Sequence, residues 1–182
     1  MYLATADRSR KFDPVVSVPA SARRVASWLE PQEIVLGVEL RDRRHALESA
    51  AATIARMHRL KPEPIFRALW RRELVGSTAL GHGVAIPHAR IGGIERPLTL
   101  FVRPKWAIDF AAPDGKPVSS ILVIMVPSDR DPDDHLELLA LVAQAFSDPS
   151  FRSRVSGPST VADVGGAFAD YAQRVERLPS AE

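Results

Sequence analysis

The residues with the clearest chemical potential lie in one run of ten, Gly81-His82-Gly83-Val84-Ala85-Ile86-Pro87-His88-Ala89-Arg90. Pro87 fixes its own φ and drives Ile86 into an extended conformation. His88 therefore follows a rigid corner. An imidazole presented in this way can use one ring nitrogen as a nucleophile, provided a neighbour fixes the tautomer through the other. Arg90, two residues on, carries a planar fork of donors that suits a phosphate. Gly81 and Gly83 permit close backbone approach or positive φ. These residue types suit a phosphate-handling histidine. Such a run is more often a structural loop with a proline corner, and taken alone it leaves both readings open.

Other chemistries find less support. The chain has no cysteine, which excludes disulfides, thiolate metal sites and cysteine nucleophiles. His82, His88 and His135 are zinc-ligand types, but His82 and His88 do not have the spacing of a helical ligand pair, and no carboxylate sits at a clear ligand spacing. No metal site is expected. Ser77 with His88 lacks the G-x-S-x-G elbow of a hydrolase. His45 and His58 fall on a basic helical stretch and read as surface or core-edge residues.

The elements that must position this run belong to an ordinary globular chain. Its 182 residues suit one domain, with 46% apolar and 25% charged residues. The longest apolar run, Ile121 to Pro127, is strand-sized and far short of a membrane span. The N-terminus, with Asp7, Arg8, Arg10, Lys11 and Asp13, is not a secretory signal. A cytoplasmic protein without membrane insertion is expected. A net charge of +2 is smaller than a nucleic-acid binder usually carries. The charge is uneven, with nine Lys or Arg against three acidic residues from Arg41 to Arg72, and six acidic residues against one Arg from Asp129 to Asp148. Solvated helix faces account for this, as does a basic docking face for an acidic partner.

Residues 1–28 are polar and Pro-punctuated and read as an extension or poorly ordered arm, leaving 29–178 as the domain. Ile34 to Leu40 is a strand candidate. Asp42 reads as the N-cap of an amphipathic helix running to Leu60, ended by Lys61-Pro62. A second helix spans about 63–73, and Ser77 to Arg90 reads as a Gly-punctuated loop with a short extended piece. Leu98 to Trp106 is a strand, and Val118 to Val126 a continuous apolar strand of the central, doubly covered kind. Helices follow from Asp134 to Phe146, as a short turn at 148–155, and from Thr160 to Val175. Strands and helices mixed in this order predict a single α/β domain.

The stretch RRELVGSTALGHGVAIPHAR (Arg71 to Arg90) resembles the active-site signature of enzyme IIA domains of the phosphotransferase system, mannitol/fructose class, and is most similar to the nitrogen-regulatory subgroup. A second block, DDHLELLALVAQAFSDPSFR (Asp133 to Arg152), resembles that family's second histidine segment, and the strand and helix of IVLGVEL and DRRHALESAAATIARM resemble its opening. The similarity covers about residues 29–175, and two motifs at the right separation are more specific than either alone.

The resemblance implies a mixed β-sheet flanked by helices on both sides, with no metal or organic cofactor. It implies that His88 accepts a phosphoryl group from an HPr-like phosphocarrier protein and that His135 is the supporting histidine. Arg72, Ser77 and Arg90 become candidate phosphate-binding residues, and His82 a rim residue. Asp133 and Asp134 are expected to cap the helix that carries His135 and to face solvent. A regulatory, nitrogen-related output is the favoured expectation. The alternatives are a sugar-transport enzyme IIA that passes phosphate to a separate permease component, and a protein-binding signalling module switched by His88 phosphorylation. The presence of both His88 and His135 argues against a domain that has lost phosphorylation.

Overall fold

The computed structural model describes residues 29–157 and 160–176. The extension expected over 1–28 and the domain end expected at 178 lie outside the described residues. The element order is β1 (Ile34–Val38), α1 (Arg43–His58), α2 (Pro62–Val75), β2 (Ala79–Gly81), β3 (Val84–Ala85), β4 (His88–Ile91), β5 (Leu98–Pro104), β6 (Ser120–Pro127), α3 (Pro132–Ser147), α4 (Pro149–Ser156) and α5 (Val161–Glu176), with a 3-10 turn at Pro31–Glu33 before β1.

The sheet runs β1-β5-β6-β3-β2, and β4 also pairs with β6. β1 is parallel to β5, β5 antiparallel to β6, β3 and β4 parallel to β6, and β2 antiparallel to β3. The sheet is therefore mixed, as expected. β6 is its axis and is buried at every position. Side chains alternate across a strand, so Ile121, Val123 and Met125 enter one core with α1 and α2 residues such as Leu47, Ile54 and Leu69. Leu122, Ile124 and Val126 enter the other, with Val142, Phe146, Phe151 and Phe168 from α3, α4 and α5. A strand covered on both faces has no polar side to show, which is why this run reads as unbroken apolar sequence. The helices flank the sheet on both sides.

Several boundaries differ from the sequence expectation. α1 is capped by Asp42, which accepts from the His45 amide at 2.7 Å. It ends at His58, before Lys61-Pro62 is reached, because Arg59 takes a left-handed conformation (φ 56°) and its N–H bonds the Ala55 carbonyl. Pro62 instead opens α2 at a position where the missing N–H leaves nothing unpaired. The loop expected over Ser77 to Arg90 is a β2–β3 hairpin followed by β4, so His88 stands on a strand. Too few residues sit in each of these strands for an alternation to be read.

The basic stretch is partly explained by α1–α2 packing. Arg44 pairs with Glu48 at 2.9 Å and lies 5.3 Å from the ring centroids of Phe66 and Trp70. Arg43 lies over Trp70 and reaches Glu73. Guanidinium groups here cover aromatic faces as well as meeting solvent. Arg67 and Arg71 remain exposed.

In the second core, Phe151 makes edge-on or tilted contacts with Phe146, Phe168 and Tyr171 at centroid distances of 5.2, 5.0 and 5.5 Å. Phe151→Ala should cost about 3–5 kcal/mol in urea unfolding, as buried aromatic truncations do. Arg154→Ala, which removes only an exposed pair with Asp170, should cost under about 1 kcal/mol. Equal costs would mean that the aromatic cluster is not packed as described.

Candidate functional site

The hairpin that leads to His88 turns through Gly81-His82-Gly83, all with positive φ. A side chain on Gly81 would approach the Asp114 carboxyl to 3.2 Å, and that carboxyl accepts from the His82 amide at 2.8 Å. The turn is thus held against Asp114, whose pKa is lowered by the amides of His82 and Lys116 that it accepts. His82 itself is exposed, matching a rim position.

The proline corner follows. The Ile86 amide donates to the Thr78 carbonyl at 3.0 Å, and the Pro87 carbonyl accepts from the Ile124 amide at 2.9 Å. The corner is therefore bonded to β2's lead-in on one side and to the central strand on the other. His88 opens β4 opposite Ile124, with Arg90 two residues along on the same face.

The His88 ring makes two hydrogen bonds. Its Nδ1 lies 2.8 Å from the Ile86 carbonyl oxygen, which can only accept, so Nδ1 carries the proton. Nε2 then holds the lone pair, and the Arg72 Nε–H donates to it at 3.0 Å. A second Arg72 nitrogen, Nη1, donates to the Gly76 carbonyl at 2.9 Å. His135 reaches over from α3, its ring centroid 5.4 Å from that of His88 and the planes at 52°. The His135 Nδ1 is buried and has no hydrogen-bond partner among the described residues.

Charge and burial set the protonation of both rings. Burial pushes the His88 pKa down from 6.5 to about 4, with Arg72 and His135 adding to the fall and the Ile86 carbonyl opposing it. His135 is lowered by burial and by the nearby Arg90 and Arg72. Both imidazoles are neutral near pH 7, which leaves His88 Nε2 unprotonated, its lone pair accepting from Arg72.

The remaining candidates have backbone partners. Ser77 donates its hydroxyl to the Phe110 carbonyl at 2.6 Å and accepts from the Ala79 amide. Arg90 donates to the Ser128 carbonyl at 2.9 Å and to the Arg130 carbonyl. It thereby ties β4 to the loop that leads into α3 and His135. That helix is capped by Asp131, which accepts from the Asp133 amide at 3.0 Å, with Pro132 in the first turn. The expected caps Asp133 and Asp134 are the second and third residues of the helix, because Pro132 starts it earlier than its apolar face does. The structure thus joins Arg72, His88 and His135. The participant missed from sequence is the Ile86 carbonyl, whose only advance signal was the extended conformation that Pro87 imposes. Among the described residues no three His, Cys, Asp or Glu side chains converge to hold a metal ion, and no helix is long and apolar enough to cross a membrane.

Residues 27–165 match the family model described as "Phosphoenolpyruvate-dependent sugar phosphotransferase system, EIIA 2". The chain belongs to that family, and is a phosphotransfer component at that level. It is similar to the nitrogen regulatory protein of Bradyrhizobium diazoefficiens, with 30% identity over 131 residues covering 72% of this chain and 85% of that protein. It is similar to the nitrogen regulatory protein of Pseudomonas aeruginosa, with 33% identity over 138 residues covering 75% and 89%. Its fold matches the crystal structure of nitrogen regulatory protein IIA-Ntr from Neisseria meningitidis with a TM-score of 0.74 at 35% identity, over 80% of this chain and 99% of that one.

The lowered histidine pKa values give a stability prediction. The unfolded chain binds these protons more tightly than the folded one, so stability falls as pH drops from 6.5 toward about 4 and levels off below. His135 acts in the same direction. Thermal melts across that window should decline for the native chain, and less steeply for His88→Asn/His135→Asn. Equal slopes would mean that both rings titrate as ordinary histidines.

Proposed function

We propose that His88 accepts a phosphoryl group on Nε2 from the phosphohistidine of an HPr-like carrier protein, in the cytoplasm, and that the output is regulatory and nitrogen-related. The observation that carries this reading is the tautomer lock, in which the Ile86 carbonyl holds the Nδ1 proton and leaves the Nε2 lone pair facing Arg72 and His135. The similarity to proteins named nitrogen regulatory proteins supports the regulatory part.

The step balances simply. The Nε2 lone pair forms the new N–P bond as the donor's N–P bond breaks, and the donor ring nitrogen keeps the departing electron pair. His88 retains its Nδ1 proton, and positive character spreads over the ring, where the Ile86 carbonyl dipole stabilises it. The incoming phosphoryl displaces the Arg72 Nε–H from the lone pair, and the guanidinium turns its donors to the phosphoryl oxygens. His135 lies within reach of the same oxygens. Positioning and preorganised charge do most of the work in such transfers.

Incubation with phosphoenolpyruvate, the general phosphotransferase enzyme and its small carrier should add one acid-labile phosphoryl group by intact mass. His88→Ala should abolish the label. His135→Ala and Arg72→Ala should each slow its appearance by about a hundredfold, the scale for losing one preorganised donor. Arg72→Lys should restore little, because it lacks the planar fork. Label persisting in His88→Ala would place the acceptor elsewhere. An unlabelled native chain, beside a donor set active on another acceptor, would overturn the reading.

A further inference from the structure

Glu73 is a buried acidic side chain that the transfer step does not use. It is 2% exposed and follows Arg72 directly on α2. Its Oε2 accepts from the Thr78 amide at 3.1 Å and from the Thr78 hydroxyl at 2.6 Å, and its Oε1 lies 3.5 Å from Nη1 of Arg43 on α1. A buried carboxyl is costly unless its oxygens are paired, and here donors from two separate segments meet it.

The bonds beyond Thr78 form a closed circuit. The Thr78 carbonyl accepts from the Ile86 amide, the Ile86 carbonyl from His88 Nδ1, and His88 Nε2 from Arg72 Nε. Arg72 is the covalent neighbour of Glu73, so the path returns to its start. Between the two ends of the Glu73–Thr78 link, Leu74, Val75 and Gly76 are all exposed. They offer no core packing to fix where β2 begins relative to α2. The side-chain link across them does so, and Arg72 Nη1 adds a bond to Gly76 within the same span.

We propose that Glu73 is a positioning residue for phosphoryl transfer, setting the distance and angle between the Arg72 guanidinium and the His88 imidazole through Thr78 and Ile86. The proposal depends on His88 being the acceptor. A circuit of this kind matters because a displacement of about 1 Å in a reacting pair can cost on the order of a hundredfold in rate. The purely structural alternative is that Glu73 only closes the end of α2, in which case its loss would change stability and leave the His88 ring as it is.

The double variant Glu73→Met/Thr78→Val separates these: it removes the carboxylate and the hydroxyl together, which costs less than orphaning the hydroxyl, and leaves only the residue-78 amide and Arg43 without this acceptor. Folding would be followed by far-UV circular dichroism, the His88 ring by nitrogen NMR, and transfer by its initial rate. The expected result is a folded chain in which His88 loses its Nδ1–H preference. Its titration midpoint should move up from about 4, as the ring gains water and distance from Arg72, with His135 and Arg90 left in place. Transfer should slow by about tenfold or more. Glu73→Gln, whose amide oxygen still accepts from both Thr78 donors, should stay within about threefold of the native rate. A folded double variant with the native tautomer and midpoint overturns the proposal. If the double variant loses its fold, Thr78→Val alone carries the same readings, since it deletes the hydroxyl bond and keeps the amide one. A displaced tautomer or midpoint there supports the proposal, and an undisplaced one overturns it. The ring measurement needs no donor, so the two failures are distinct. A native chain that takes no label sinks the acceptor reading, whereas a labelled native chain with an unresponsive ring sinks the role of Glu73.

Discussion

The hydrogen bond from His88 Nδ1 to the Ile86 carbonyl is the constraint on which the rest of the site depends. It chooses the tautomer, and so decides which nitrogen keeps a lone pair. It exists because Pro87 forces Ile86 into an extended conformation and because the corner is bonded on both sides, to Thr78 and to Ile124. Ile124 belongs to the one strand buried at every position. The His88 ring is therefore referenced to the fully buried central strand, and Arg72 and His135 are brought to it from helices on opposite faces of the sheet.

Two opposing effects act on that ring, and their balance defines what it can do. Burial and the neighbouring Arg72 and His135 disfavour the imidazolium, while the Ile86 carbonyl favours it. Burial dominates, so the ring is neutral near pH 7 and its Nε2 lone pair is unprotonated, held only by the Arg72 N–H. A phosphoryl group on the ring would bring roughly −1.5 to −2 charges into the same surroundings. Groups that disfavour a positive ring favour that negative charge, with Arg72 and the amphoteric His135 closest to it. One arrangement thus keeps His88 Nε2 unprotonated and offers stabilisation to the group it is proposed to accept.

Much of this was legible in the sequence, and the parts that were not share a physical reason. β6 announced itself because a strand covered on both faces is apolar throughout, and α1 because Asp42 and the Leu47, Ala50, Ile54 spacing agree. His88 stood out through Pro87 and the flanking glycines, although only the family resemblance favoured a reactive reading over a structural one. The strands β2, β3 and β4 were hidden because each is too short for a period of two to repeat. α3 starts ahead of the Asp134 expected from the sequence because Pro132 and Asp133 look like loop residues, though proline is well suited to a first helical turn. The backbone carbonyl of Ile86 and the Glu73–Thr78 link were illegible in principle, since no residue type encodes which backbone group a side chain will meet across a fold.

The central claim is that Nε2 of His88 is the acceptor atom because Nδ1 is committed to Ile86. The most direct test is phosphorus–nitrogen correlation NMR on the nitrogen-15-labelled, phosphorylated chain. Coupling of phosphorus to Nε2 of His88, with the proton still on Nδ1, is the result the geometry predicts. Coupling to Nδ1, or to a ring nitrogen of His135, would contradict it, because the Ile86 carbonyl would then not be setting the chemistry of the site.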